Sequence, residues 1–293
     1  MEEAVVKAYA KINLILDVKG KRADGFHEVE MIMQNISLHD QVIIRPGQGI
    51  SIGCNHPSVP KDEKNLAYKA AEILLKKHPQ LTGVEIFIEK NIPMEAGLAG
   101  GSTDAAAVIL GMDKLFALNM EREEMHALGA QLGSDVPFCL AGPTAYAYGR
   151  GEKLIDIPDC PPLTVVLVKP PFGVKTKEVY QNLKLHQTDN SIIKKYIEAI
   201  RTNDVEFILK NLSNTLENST FSLYPEVKTI KEKIINLGAD YVLMSGSGSA
   251  IFALFPYKAN ALETVWKLEK YFEEVYIAHT LNNLDIKERV KIR

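Results

Sequence analysis

Cysteine is scarce in this chain: Cys54, Cys139 and Cys160 are the only three in 293 residues. They are odd in number, far apart and without C-x-x-C spacing, which argues against a disulfide framework and against a zinc site. Such usage fits a reducing cytoplasm. No apolar run approaches the roughly 18 residues that a membrane helix needs. The N-terminus, MEEAVVKAYAK, is acidic where a secretion signal would be positive. Positive charge is not in excess either, since 34 Lys and Arg stand against 37 Asp and Glu, so nothing in the balance suits a nucleic-acid backbone or an anionic membrane. An anionic ligand must therefore be met by a local site. The seven histidines form no H-x-x-x-H pair and none is close to two cysteines, so no protein metal ligand is assigned. G-x-x-x-x-G-K-[ST] is missing, which excludes a Walker A loop, and no glycine cluster matches G-x-G-x-x-G.

What is present suits a folded protein throughout: 46% apolar and 24% charged residues, enough for two domains with cores of their own. From Val6 to Val18 every even position is apolar, the period of a strand with one buried face. Lys7, Tyr9, Lys11, Asn13 and Asp17 fall on the other face, where solvation is the plain expectation. Strands are also expected at 42–44 and 84–88, and helices over 65–75, from near Ser102, and over 121–132 up to Gly133. Pro158, Pro161 and Pro162 cannot lie inside a helix or a central strand, so the domain boundary is placed at 160/161. Strands and helices mix without a βαβα rhythm, which favours an α+β fold.

Three segments could carry chemistry. The first runs Pro93-Met94-Glu95-Ala96-Gly97-Leu98-Ala99-Gly100-Gly101-Ser102-Thr103 between a strand and a helix. Glycines allow close backbone approach, and the helix start offers unpaired N–H groups, a combination that suits polyphosphate. The same residues also fit a linker with Ser102 as N-cap. The second, Met244 to Ala250, includes Gly246 and Ser247 and fits either a hairpin turn or a second wall of a phosphate site. The third puts Asp135 between a helix end and an apolar segment, as a cap or as a general base for a hydroxyl, with Lys11 and Asn13 within reach of the same ligand.

In this order the strand Ala10 to Leu14, the loop 93–106 and the turn 245–250 resemble the three motifs of the GHMP kinases, named for galactokinase, homoserine kinase, mevalonate kinase and phosphomevalonate kinase. The likeness extends to Arg22-Ala23-Asp24-Gly25-Phe26-His27, Asn65-Leu66, 132–137 and Gly149-Arg150-Gly151-Glu152. It implies a two-domain GHMP kinase fold: an N-terminal ATP-binding domain like domain two of ribosomal protein S5 over 1–160, and a ferredoxin-like domain over 161–283. Residues 284–293 are left as a tail without a role. It implies ATP and Mg²⁺ as cofactors, with the loop 93–103, Asn65 and Lys90 on the nucleotide, Asp135 as base and Lys11 beside it. It also implies a small-molecule substrate, a cytidine diphosphate-linked methylerythritol, bound by Asn13, Phe26, His27, Tyr180, Gly246 and Ser247. Phe172 competes with Tyr180 for the second stacking aromatic. A homoserine or mevalonate kinase of the same family, or a nucleotide-binding regulator without catalysis, would share the loops but not the need for Phe26-His27. Ala96 and Ala99 stand where many relatives have glycine, which predicts that both avoid positive φ.

Overall fold

The computed structural model describes residues 2–185 and 191–293. The first strand, Ala4–Lys21, pairs antiparallel with His27–Pro46, and these two long strands are the spine of an eight-stranded sheet. Gly83–Glu89 and Gly49–Cys54 extend it on one side, while Thr144–Gly149 and Lys153–Asp156 continue from His27–Pro46 near its start. Helices Leu66–Lys77, Gly100–Leu115 and Arg122–Leu132 supply the facing layer, with Ala70, Leu74, Ala105, Val108 and Ile109 packed on Val6, Val42, Ile44 and Ile86. A second, four-stranded sheet has Thr164–Val168 and Ile251–Phe255 at its centre, flanked by Val275–His279 and Val242–Met244. The chain thus has the mixed, two-domain architecture expected. Among the described residues no helix is long and apolar enough to cross a membrane.

The first strand serves both halves. Ala4, Val6 and Ala8 belong to the core under the first-domain helices, whereas Ala10, Ile12, Leu14 and Ile15 share a core with Val165, Leu167, Leu243 and Phe252. A register shift at Tyr9/Lys11 separates those stretches, and a second at Asn13/Ile15 falls within the latter. Such bulges twist a strand and release a backbone group from the ladder. Here the Lys11 N–H is released and donates to the Leu98 carbonyl at 3.2 Å, tying the strand to the glycine loop. The face expected to be solvated is consequently covered: Tyr9, Lys11, Asn13 and Asp17 are all buried, and only Lys7 is exposed. Alternation reports which residues share a face, not what a second domain lays upon it.

The end of the chain returns to the first sheet. A capping box between Asn282 and Asp285 starts the short helix Asn283–Lys287. Val290–Ile292 then pairs antiparallel with Ala4–Val6. Arg289, between them, donates to the Cys139 carbonyl at 2.8 Å and to that of Leu140, closing the C-terminal end of helix Val136–Ala141.

Candidate active site

The glycine loop begins where Gly83–Glu89 ends and finishes at the start of helix Gly100–Leu115. Glu95, Gly97 and Ala99 have φ of 52°, 74° and 59°. Left-handed residues at alternate positions turn successive N–H groups toward one side, the geometry of an anion-binding nest. The helix starts at Gly100, two residues before the expected Ser102, and its first main-chain bond runs from Thr103 N–H to the Ala99 carbonyl. The N–H groups of residues 100–102 therefore have no partner within the helix. Ala96 avoids positive φ as expected, but Ala99 does not. The close-set turn of the loop places Ala99 in the left-handed region, where its methyl costs roughly 1–2 kcal/mol relative to glycine.

Beneath the loop lies a buried charge triad. Lys90 Nζ donates to Asp40 at 2.5 Å and to Asp104 at 2.8 Å, and all three side chains are almost wholly removed from water. The other Asp40 oxygen accepts the Asn91 and Ile92 N–H groups, at 2.6 and 2.8 Å. Asp104 keeps an oxygen with no partner, and burial pushes its carboxyl up to about 8. One ammonium between two carboxylates leaves one negative charge, and Asp104, with an oxygen that has no partner, is the member that burial drives toward its protonated form. Gly100 rests directly on this group, since a Cβ there would come 3.1 Å from Lys90 Nζ.

The second glycine turn is docked on the first. Ser245 Oγ donates to the Gly97 carbonyl at 3.1 Å, and the Ala250 N–H reaches the Ala96 carbonyl at 3.3 Å. A Cβ on Gly97 would lie 2.0 Å from the Ser245 carbonyl oxygen, so only glycine fits between the two loops. Asn214 fixes the turn from behind by donating to the Met244 and Gly246 carbonyls. The segment is both a hairpin connection and a wall of the larger cavity.

Asp135 occupies the N-cap position of helix Val136–Ala141, yet its carboxylate makes no capping bond. It instead faces Lys11 Nζ at 3.5 Å, and it remains about one-third exposed (31%) while the lysine is at 5%. Lys11 is oriented by Asn13, whose Oδ1 accepts from Nζ at 2.9 Å and whose amide points at Met31 Sδ. Asn13 is fully buried behind the lysine and lines neither cavity. Thr103 is likewise enclosed in its helix.

At the far end of the larger cavity, Arg22 bonds to Asp24 and Glu28, the Arg22 N–H meets the Phe26 carbonyl, and Gly25 supplies φ of 86°. The pinned turn holds Phe26 outward, 51% exposed. Tyr180, on helix Thr176–Gln181 of the second domain, lies against His27 with centroids 5.0 Å apart. Burial, then the charge of Lys21, hold the imidazole below its ordinary pKa, so it is neutral at pH 7. Phe172 does not line the cavity; its carbonyl accepts from Lys169 and Ser249.

These pieces border two cavities that share the glycine loop as a wall. The larger, about 940 Å³, joins Lys11, Asp135, Phe26, His27, Tyr180, Gly246 and Ser247 to Gly97, Ala99 and Ser102. The smaller, about 330 Å³, lies between loop residues 93–102, Asn65 and Lys90. Both polar atoms of Asn65 are occupied, one by the Ala67 N–H as helix cap and one by the Pro60 carbonyl, so it shapes that wall. The sequence reading gave no role to Asp40 or Asp104, whose signal was only a carboxylate at a strand position and in a helix, and none to Lys21, Arg150 and Lys177, which line the larger cavity. Among the described residues no group of three or more His, Cys, Asp or Glu could hold a metal ion.

The chain was compared with known proteins. Residues 65–143 match the family model of the GHMP kinases N terminal domain, and residues 196–274 that of the GHMP kinases C terminal. It is 46% identical over 282 residues to a 4-diphosphocytidyl-2-C-methyl-D-erythritol kinase of Clostridium botulinum, covering 94% of this chain and 99% of that one. A protein of the same name from Brevibacillus brevis is 46% identical over 279 residues, covering 94% and 96%. Among solved structures, a crystal structure of 4-(cytidine 5'-diphospho)-2C-methyl-D-erythritol kinase aligns with a TM-score of 0.80 at 34% identity, over 96% of this chain and 99% of that one. A homoserine kinase from Cytophaga hutchinsonii, at 20% identity over 100% and 97%, shares the fold with a TM-score of 0.76.

Proposed function

The chain belongs to the GHMP kinase family, and from that premise we propose that it transfers the γ-phosphoryl group of ATP to the hydroxyl at position 2 of 4-diphosphocytidyl-2-C-methyl-D-erythritol, a step of non-mevalonate isoprenoid precursor biosynthesis. The observation that supports the reading best is the Lys11–Asp135 pair, set between the glycine loop and the Phe26, His27 and Tyr180 cluster on one cavity. Polyphosphate lies along the N–H groups of the loop and the helix start. Asp135 accepts the hydroxyl proton, and Lys11 stabilises the charge that develops on the attacking oxygen. A loose phosphoryl-transfer transition state leaves the protein mainly the tasks of placement and charge stabilisation. Placement here comes from Asn13, which holds Lys11, and from the helix that presents Asp135.

Mg²⁺ bound to the phosphates would neutralise charge on the transferring group. With no multi-carboxylate cage among the described residues, the donor set fits an ion held mostly by phosphate and water, with Ser102 and Asp135 as the oxygen donors beside the loop. The aromatic end suits a pyrimidine: a neutral His27 presents backbone donor and acceptor groups that can tell cytosine from uracil. The test is ATP consumption by the purified chain against a panel of cytidylylated methylerythritol, homoserine and mevalonate. Turnover of the first alone is expected. Turnover of either other compound with none of the first would sink the reading.

A further inference from the structure

The turn Gly149-Arg150-Gly151-Glu152 connects strands Thr144–Gly149 and Lys153–Asp156, and the function so far gives it no part. Its glycines sit at φ of 77° and 103°, so the turn has one shape and Arg150 leaves it in one direction, into the larger cavity. Glu152 is spent on the turn: it accepts the Arg150 backbone N–H at 2.6 Å and lies 3.8 Å from Nε, beyond hydrogen-bond reach. The guanidinium stands 4.8 Å from the Phe26 ring centroid. Among the described residues its side-chain nitrogens make no hydrogen bond, although that side chain is only 28% exposed.

The surrounding charge is lopsided. The cavity is lined by Lys11, Lys21, Arg150 and Lys177 against the single carboxylate Asp135, in a chain whose net charge is -3. Lys11 is matched by Asp135, and Arg150 is ion-paired through Nε at 3.8 Å with Glu152, which lies outside the cavity lining. Lys21 and Lys177 have no carboxylate partner among the described residues, and Lys177 shares the cavity-facing side of its helix with Tyr180, three residues on. Unmatched cations in a cleft of a net-negative protein focus potential for an anionic ligand.

We infer that Arg150 is a substrate-binding residue that recognises the diphosphate of a nucleoside-diphosphate-linked substrate, with Lys21 and Lys177 supplying flanking charge. The inference rests on the function proposed above and adds the group by which the middle of the substrate is held. Phe26 and Tyr180 accept the base at one end and Asp135 the hydroxyl at the other, so the diphosphate lies between them. A guanidinium held over the Phe26 ring, with no hydrogen bond to its terminal nitrogens among the described residues, can offer those nitrogens to two phosphate oxygens, which a lysine ammonium cannot match in geometry.

Arg150→Ala and Arg150→Lys are to be titrated with cytidine and with CDP, the nucleotide site filled by a non-hydrolysable ATP analogue. The wild type should bind CDP more tightly than cytidine. Arg150→Ala should lose roughly 10- to 100-fold for CDP, with cytidine affinity changed less than about twofold and ATP affinity kept; Arg150→Lys should fall between. The CDP loss should shrink as ionic strength rises. Equal losses for cytidine and CDP would overturn the inference, leaving Arg150 only a support for the Phe26 ring, and no loss for either would overturn it outright. A wild type that binds neither cytidine nor CDP would instead overturn the substrate reading, and this inference with it.

Discussion

The two cavities on either side of the glycine loop are built in different ways. The smaller takes its walls from two short stretches, 59–66 and 90–104, of one domain. The larger draws on residues from Lys11 to Ser247 and needs both domains. On the proposed nucleotide side, charge is buried and neutralised within the protein, by Lys90 between Asp40 and Asp104. On the proposed substrate side, cations are left open to the cavity. In the function proposed, the first arrangement fixes a backbone shape for ATP and the second keeps its charge for the acceptor substrate. A family can therefore keep the nucleotide half while changing the substrate half.

The comparison can be broken most severely at the point where both ligands react. Asp135→Asn should lower kcat by about 100- to 10,000-fold with ATP affinity largely kept, because the carboxylate caps nothing and its loss leaves the helix intact. Single-turnover kinetics with an ATP titration checks it, and a near-wild-type kcat would remove the base from the mechanism.

Gly97, Ala99 and Ser102 line both cavities, and Gly97 is the one of the three pressed against the second glycine turn. Gly97→Ala puts a methyl into the Ser245 carbonyl at a φ of 74°, so a destabilisation of at least about 2 kcal/mol is expected. KM should rise for both substrates together. Denaturant unfolding and steady-state kinetics read the two effects; a rise in only one KM would mean that the loops are not coupled.

Smaller and separable effects should follow from one substitution on each side. Phe26→Ala is expected to weaken the cytidylyl substrate by about 1–3 kcal/mol and leave KM for ATP unchanged. Asn65→Ala removes the helix cap for about 1 kcal/mol of stability and should raise KM for ATP alone. If each variant moved both KM values equally, the separation into two cavities would not describe function.

The last effect is one of pH dependence and concerns the buried triad. Folded Asp104 holds its proton up to about pH 8, whereas an unfolded aspartate releases it near pH 4. Between those values the folded state binds more protons, so this group makes stability fall as pH rises, a loss complete once the pH passes the folded value. Asp104→Asn abolishes that dependence. Its Tm relative to wild type should therefore improve steadily from pH 5 to 8 and level off above; a constant difference would show that Asp104 does not titrate there.

Much of the nucleotide half was legible beforehand because its information is local. Helix Leu66–Lys77, the strand Gly83–Glu89 and the glycines of the loop follow from periodicity and backbone freedom within a few residues of each position, whereas the capping role of Asn65 emerged only in the structure. The loop's conformation was less so: Ala99 is left-handed and the helix begins at Gly100, neither of which a one-residue preference for glycine anticipated. Lys177 could be seen as a cation and no more, and Arg150 only as part of the family-like turn 149–152, since nothing near them in sequence says that both face one cavity.

What the sequence by itself determined is the set of parts: an alternating strand, a glycine loop at a helix start, a second glycine turn, a turn ending in Phe26-His27, and Asp135 after a helix end. Local sterics and hydrogen bonding suffice for these. Only the tertiary structure decided that Lys11 and Asn13 are buried rather than solvated, that Lys90 is enclosed by two carboxylates, and that residues 290–292 close the edge of the first sheet. Each of those depends on what a distant segment lays over a residue, and burial, which sets the cost of a charge and the meaning of a hydrogen bond, is a property of the assembled core and not of the neighbours along the chain.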